Sequence, residues 1–261
     1  MRTLNVVVTG GGTIAPIDDV RQIANLSTGG FSAAISEAWL ALGARVWHIH
    51  APRALVPFER AARFDFECGD LESELERLRR LHERRSAVAE RLRLVPLRDG
   101  TVSEYAEVLE STLRNEPIDV AMLAMAASDY EPVRSEGKID SSAATLTIHC
   151  ARARKVIASV RDWSPKVYLV GFKLTSGLPR ERLIAVAEAS RAANRADAVV
   201  ANDVSTLRDG GHTVHLVRGG VGAETFGPGG PIAERLTARL LDLVRARVAA
   251  VGSIPSPSEP L

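Results

Sequence analysis

Cysteine is nearly absent from the 261 residues, and Cys68 and Cys150 stand far apart without metal-ligand spacing. That excludes a disulfide framework and a zinc site, and it points to a reducing compartment. No apolar run approaches the ~20 residues of a membrane span. An excess of either charge is missing too, with 33 basic residues against 32 acidic and a net charge of +1. Nucleic-acid and membrane surfaces need concentrated basic charge, so neither partner is expected. The N-terminus enters a strand almost at once, which leaves no room for a signal peptide and makes the cytoplasm the expected compartment. Also missing is the G-x-G-x-x-G spacing of a dinucleotide fingerprint.

A glycine turn nevertheless stands at the head of the chain, in LNVVVTGGGTIAPIDDVRQIANLSTGG. Leu4 to Val8 form a β-branched apolar run, the mark of a buried strand. Gly10, Gly11 and Gly12 follow, where backbone without Cβ lets a ligand approach converging N–H groups. A dinucleotide fold would enter its helix at once. Here a polar loop intervenes, carrying Asp18, Asp19, Arg21, Asn25, Ser27, Thr28 and Gly29. So long a donor-rich loop at a strand end reads as functional.

Further along, Phe31 to Leu42 have the apolar spacing of a helix, closed by Gly43. Ala44 to Ile49 read as a strand, with one of His48 and His50 expected to face solvent and the other packing. Arg53 to Asp70 are irregular. Gly69 to Leu92 read as a highly charged surface helix laced with ion pairs, or as an arm on a partner subunit. Arg93 to Leu97 and Ile118 to Ala124 are strands flanking a helix from Ser103 to Arg114. Thr145 to Ile148 show strand character, and Arg152 to Arg161 suit a helix. Lys166 to Phe172 and Ala196 to Ala201 are strands around a helix from Pro179 to Asn194. A small hairpin is expected near residues 213 to 226, and a last helix from Ile232 to Val248. The fold class is therefore α/β, with a doubly wound, mainly parallel Rossmann-like sheet and helices on both faces. One nucleotide-binding domain is expected over residues 1–250, and the Pro/Ser-rich residues 251–261 read as a disordered tail.

Three strands end in short polar signatures, TGGGT, AASDY and AND. In a parallel sheet those ends share one edge and converge on one crevice. Ala126, Ala127 and Ser128 permit close approach, and Asp129 sits just past a strand end. Pro132 and Gly137 bracket a polar flap that carries Lys138. Taken alone, Asp129 reads as a cap and Lys138 as a solvated lysine; it is their convergence that suggests a site.

Together TGGGTIAPIDDVRQIANLSTGG, AMAASDYEPV, the flap GKI, LVGFKL and VANDVS resemble the phosphopantothenate–cysteine ligase family over roughly residues 4 to 245. With no flavoprotein decarboxylase half before them, the resemblance is to the stand-alone bacterial form. It implies that a substrate carboxylate, that of 4'-phosphopantothenate, attacks the α-phosphate of CTP or ATP and releases pyrophosphate. The amine of cysteine then takes the acyl-nucleotide, in a step of coenzyme A biosynthesis. The resemblance assigns Asn25 to the acyl carbonyl, Lys138 to activation and Arg21 to substrate, in some members across a homodimer. Ala126 and Ala127 are placed beside substrate. Gly11, Gly12, Ser27, Gly29, Asp129, Phe172, Lys173, Asn202 and Asp203 are placed around the nucleotide, with Mg2+ as cofactor.

Two features depart from that pattern. The fused enzymes carry several flap lysines, whereas Lys138 is followed by Ile139, Asp140 and Ser141. A family lysine just before the AND strand is also missing, with Arg191 or Arg195 as candidate substitutes. Two rival functions are open. A short-chain reductase of the NAD(P) type would need Tyr-x-x-x-Lys, but Tyr105, Tyr130 and Tyr168 are followed by Leu109, Arg134 and Phe172. A non-catalytic nucleotide-binding module has no need to keep both Asn25 and Lys138.

Overall fold

Asn5–Gly10 form β1, and all six residues are buried. Val6 and Val8 point to one face and Val7 to the other, and each meets an apolar layer. A strand apolar on both faces belongs in the middle of a parallel sheet covered on both sides. A computed structural model describes residues 2–208 and 211–252 of the chain.

After β1 come two short strands, β2 (Ile14–Pro16) and β3 (Gln22–Ala24), then α1 (Gly30–Ala41) and β4 (Arg45–His50). A single helical turn, α2 (Glu59–Ala62), precedes α3 (Leu71–Ser86), β5 (Leu92–Pro96), α4 (Val102–Asn115) and β6 (Val120–Leu123). The strands β7 (Tyr130–Pro132) and β8 (Cys150–Arg152) frame a strap that leads into α5 (Val156–Trp163). The chain continues through β9 (Tyr168–Thr175), α6 (Arg180–Ala193), β10 (Ala198–Asp203) and α7 (Val204–Arg208). It closes with β11 (Val214–Arg218), β12 (Gly222–Phe226) and α8 (Ile232–Gly252).

Eight strands make one sheet in the order β12-β11-β10-β9-β6-β1-β4-β5. The six from β10 to β5 are parallel, and β11 and β12 join the edge antiparallel. From β1 the chain winds outward through β4 and β5, then returns to β6 and winds the other way. The order therefore reverses between β1 and β6, and the crevice at their carboxyl ends is where such sheets bind ligands. On one face α1 and α8 pack Ile35, Trp39, Leu236 and Leu240 against Val6, Val8 and Met122. On the other, α4, α5 and α6 pack Leu109, Val160 and Leu183 against Val7, Ala121 and Val199. Each such side chain contributes roughly 1.5–3 kcal/mol on burial. The sheet is thus doubly wound, mainly parallel and Rossmann-like, as expected, with its hairpin at 214–226.

Several expectations shift. His48 and His50 stand two apart on one strand, so both rings point to one face, where they stack with centroids 5.9 Å apart. The charged helix is shorter than its pattern suggests. Asp70 caps it by accepting from the Glu72 N–H at 3.0 Å, and Leu92 already pairs in β5. Its surface carries Arg77–Glu74 and Arg80–Glu76 pairs one turn apart. No strand forms over 145–148; the ladder closes instead at Cys150–Arg152, opposite Tyr130–Pro132. The last helix runs to Gly252, past the expected boundary at 250, and residues 253–261 of the expected tail lie outside the described residues.

Candidate functional site

The floor of the crevice is made where the glycine turn meets the loop after β6. Gly12 and Ala126 pair as a parallel bridge. The Ala126 N–H donates to Gly11 O at 2.9 Å, and the Thr13 N–H donates to Ala126 O at 3.0 Å. Asn25 closes the same knot, its Nδ2 donating to Ala126 O at 2.7 Å and to Ser128 Oγ at 3.1 Å. Thr13 is fully buried, and its Oγ1 accepts the Ser128 N–H at 3.0 Å. The glycines are needed for this packing. A Cβ on Gly11 would lie 2.5 Å from Ala54 Cβ, and one on Gly12 would lie 2.6 Å from Asn25 O. The bare backbone of the turn is thus closely approached by the protein itself on the side a Cβ would occupy.

The polar loop after the turn is a hairpin rather than an irregular loop, since Ile14 to Pro16 pair with Ala24 to Gln22. Its tip holds the strap. The Asp18 side chain is buried and accepts the N–H groups of Val20, Arg21 and, across on the strap, Ile139 at 2.9, 2.7 and 3.1 Å. Burial pushes this carboxyl up, but those three N–H donors and the Arg21 charge outweigh it and hold its pKa below the ordinary value. Arg21 itself donates to Ile139 O at 2.6 Å. Asp19 takes Arg134 at 2.9 Å and donates its N–H to Gly137 O at 3.1 Å. Lys138 lies between those anchor points, exposed to solvent.

One wall is formed by β9 and β10, which outrun their neighbours. Thr9, Leu123 and Gly171 lie in register across β1, β6 and β9, and the pairing of β9 with β10 continues to Thr175 and Asp203. Four further residues at ~3.3 Å each raise this wall by about 13 Å. Phe172 packs edge-on to Phe31 of α1 with centroids 6.3 Å apart, and Lys173 beside it is half-buried. Asn202 is half-buried and pairs with Leu174 and Val214 through its backbone. The Asp203 carboxylate is buried and fully engaged within the protein. It accepts Thr175 Oγ1 at 2.7 Å, the N–H groups of Gly177 and Leu178, and both the N–H and hydroxyl of Ser205. The Ser205 and Thr175 hydroxyls, with these N–H groups, hold its pKa well below the carboxylate range. Asp203 therefore orders the loop after β9.

Neither candidate for the missing lysine reaches the crevice. Arg191 binds Glu188 at 2.8 Å and Ala196 O at 3.2 Å, and Arg195 binds Asp162 at 2.9 Å. Both precede the first residue of β10, so its six residues, about 20 Å of strand, separate them from the ligand edge. Sequence reasoning passed over Thr13 and Lys155, and gave Ser128 no part beyond close approach. Thr13 and Ser128 lie inside the quoted signatures but look like spacers until the fold brings them together. Lys155 pairs with Asp129 at 3.2 Å, 26 positions away, a contact no local pattern announces. Ser27 and Gly29 lie on the segment leading into α1, and Ala127 is exposed on the crevice floor.

The sequence profile of the DNA/pantothenate metabolism flavoprotein C-terminal domain matches residues 1–77 and 97–224. The gap between those segments falls on the latter part of α3 and on β5. A coenzyme A biosynthesis bifunctional protein from Thermococcus kodakarensis is 30% identical over 215 residues, 81% of this chain and 44% of that protein. A phosphopantothenate–cysteine ligase from Homo sapiens is 30% identical over 197 residues, 65% of this chain and 63% of that protein. The chain thus spans less than two thirds of the length of either relative. Among solved structures, a Cab2 variant in complex with phosphopantothenate-cysteine superposes with a TM-score of 0.83 at 21% identity, over 96% of this chain and 89% of that one. A DNA/pantothenate metabolism flavoprotein from Streptococcus pneumoniae gives 0.72 at 24% identity, over 94% and 100%. At those identities the structures speak for the fold, while the profile covers most of the chain. The chain belongs to the family of the DNA/pantothenate metabolism flavoprotein C-terminal domain.

Proposed function

We propose that the chain joins 4'-phosphopantothenate to cysteine in coenzyme A biosynthesis, through an acyl-nucleotide formed from CTP or ATP. In the first step a carboxylate oxygen attacks the α-phosphorus, and the bond to the β-phosphate breaks to release pyrophosphate. In the second the cysteine amine attacks the acyl carbonyl, the nucleoside monophosphate leaves, and the amine proton passes to solvent. Both names of the sequence relatives point this way. The observation that carries the reading is the knot of Asn25 with Ala126 and Ser128 at the point where the strand order reverses.

That knot suits the second step. Both hydrogens of the Asn25 amide are taken by protein, the longer bond being that to Ser128. Exchanging Ser128 for the acyl carbonyl would orient the carbonyl toward the amine without offering a rival nucleophile. Lys138, exposed on the strap, supplies positive charge as carboxylate and α-phosphate meet. Phe172 suits an aromatic contact with the base, and Asn202 and Lys173 stand on the same wall. Among the described residues no three His, Cys, Asp or Glu side chains converge as a metal cage. Magnesium keeps much of its shell as water and phosphate oxygen. It therefore fits as an ion carried on the triphosphate, with Asp129 as the crevice carboxylate able to hold it. It would supply charge neutralisation at the phosphate oxygens.

The chain is further proposed to work as a homodimer. Val20, Leu26, Tyr130 and Val133 leave apolar surface exposed on the hairpin and the adjoining strands, beside Arg21, with Leu26 wholly exposed. A face of that kind marks an interaction surface. The reductase alternative finds no support in Tyr105, whose hydroxyl is buried 3.2 Å from Thr9 Oγ1. The decisive assay follows pyrophosphate release and amide product with each substrate omitted in turn. Release that ignores 4'-phosphopantothenate, or that never yields the cysteine amide, rejects the ligase. Sedimentation as a monomer with activity intact rejects the shared site.

A further inference from the structure

Lysine is rare in this chain. Lys138, Lys155, Lys166 and Lys173 are its four lysines, against 29 arginines. The two are not interchangeable. Arginine presents a wide planar fork, whereas lysine is a compact ammonium on a flexible stem that can change partners. A sequence that uses arginine almost everywhere else makes its lysine positions informative. Three of the four, Lys138, Lys155 and Lys173, stand at the carboxyl edge of the sheet; Lys166 lies just before β9 at the opposite edge.

Lys138 and Lys173 already have a place in the proposed mechanism, and Lys155 has none. It is the residue before α5, the helix that carries the chain from β6 to β9, so it sits at the ligand edge of that crossover. Its Nζ lies 3.2 Å from Asp129 Oδ1, and the two side chains are 59% and 68% exposed. A pair so open to water is worth at most about 1 kcal/mol, so it does not hold either group against a stronger partner. The first turn of α5 carries no acidic residue, and no side chain caps it. The field there favours an anion. Two other cations near the strap are committed to protein, Arg21 to Ile139 O and Asp18, and Arg134 to Asp19. Yet a carboxylate approaching a triphosphate gathers several negative charges in one place.

We propose that Lys155 is a further phosphate ligand of the nucleotide site, held by Asp129 when the site is empty and transferred to a β- or γ-phosphate oxygen when a triphosphate enters. This rests on the nucleotide-dependent reading above. Its test is direct binding to the full chain, by calorimetry, of CTP and ATP, of CMP and AMP, and of inorganic pyrophosphate. Lys155→Gln should weaken triphosphate and pyrophosphate about tenfold, the loss of one hydrogen bond to a charged group, while monophosphates change less than about twofold. Lys155→Arg should fall between wild type and Lys155→Gln, and Lys166→Gln should bind as wild type. Unchanged triphosphate binding by Lys155→Gln overturns the assignment. So does an equal loss for mono- and triphosphates, which would make Lys155 a support for Asp129, or an equal loss in Lys166→Gln. A wild-type chain that binds neither triphosphate rejects the nucleotide-dependent reading and this assignment with it.

Discussion

In the crevice floor, Thr13, Asn25, Ala126 and Ser128 are tied to one another by bonds among themselves, and Ala126 O alone accepts three donors. In the strap, residues 133–149 are all exposed except half-buried Ile139, and they reach the hairpin tip at 17–21 through a handful of bonds. Both segments border the same crevice, but only the first is fixed by its neighbours. On the proposed reading, the floor holds the groups that would orient a carbonyl, and the strap holds charge that would follow a moving phosphate. Precision is built where packing is tight, and adaptation where local opening costs little free energy.

The strongest way to break this comparison is to exchange the chemistry of its two ends. Asn25→Asp removes the donors to Ala126 and Ser128 and sets an anion against the Ala126 carbonyl. Amide formation should fall more than activation does. Lys138→Gln keeps reach but removes charge, so pyrophosphate release should fall together with product. Each loss is expected at ~2–4 kcal/mol, the range for one preorganised charge-stabilising group. A burst assay without cysteine, following pyrophosphate and trapped acyl-nucleotide, separates the two steps. Normal activation by Lys138→Gln, or lost activation with intact transfer in Asn25→Asp, would reverse the division between floor and strap.

A second test reaches beneath the floor. His48 is fully buried under the glycine turn, its Cε1 3.5 Å from where a Cβ on Gly10 would stand, and its Nδ1 is 2.8 Å from Ser36 Oγ. Burial, with the neighbouring His50 adding to it, pushes its pKa from 6.5 down to about 3. A folded pKa below the unfolded value means that the fold favours the neutral ring. The resulting stability is present above pH 6.5 and is lost as pH falls toward about 3. Between pH 7 and pH 5 this residue alone should withdraw about 2 kcal/mol. Urea titrations at both values check it, with His48→Asn retaining a partner for Ser36 while abolishing this part of the slope. Equal slopes in the two proteins would mean that the ring accepts a proton in place, and the floor would be softer than its bonds suggest.

How much of this was legible beforehand depended on the range of the interaction. The sheet, its direction and the meeting of TGGGT with AASDY followed from apolar periodicity and from where strands end. Asn25 and Lys138 stood out because amide and ammonium occur in otherwise recognisable signatures. What escaped depended on contacts between distant residues. The hairpin inside residues 14–24 has strands of three residues, too short for an alternating pattern to register. The strand expected at 145–148 has the right composition, but the pairing slips to 150–152 because the partner is only Tyr130–Pro132. The engagement of Asp203 was hidden because its five donors come from residues 175–178 and 205, assembled only when β9 and β10 align.

The mildest test compares glycines at the two ends. Gly137 on the strap has φ +70° and nothing within 4 Å of a Cβ built on it, whereas a Cβ on Gly12 would press on Asn25 O at 2.6 Å. In Gly137→Ala the left-handed backbone costs about 1–2 kcal/mol. The restricted unfolded chain returns about 0.4–1 of that. The strap can also relax, because its bond to the body at this residue is the Asp19 N–H to Gly137 O. The expected outcome is a net loss under ~1 kcal/mol, seen as faster proteolytic nicking of the strap and a severalfold higher KM for nucleotide, with Tm nearly unchanged. Gly12→Ala has no such release, since the atom it meets is backbone of Asn25, a residue whose N–H and side-chain amide are already bonded into the floor. Moving Asn25 by even a few tenths of an ångström disturbs both of its amide bonds, so kcat should drop at least tenfold. If the two alanine variants lost activity equally, the strap would be as tightly specified as the floor, and its exposed lysine would be placed by structure rather than by the arriving phosphate.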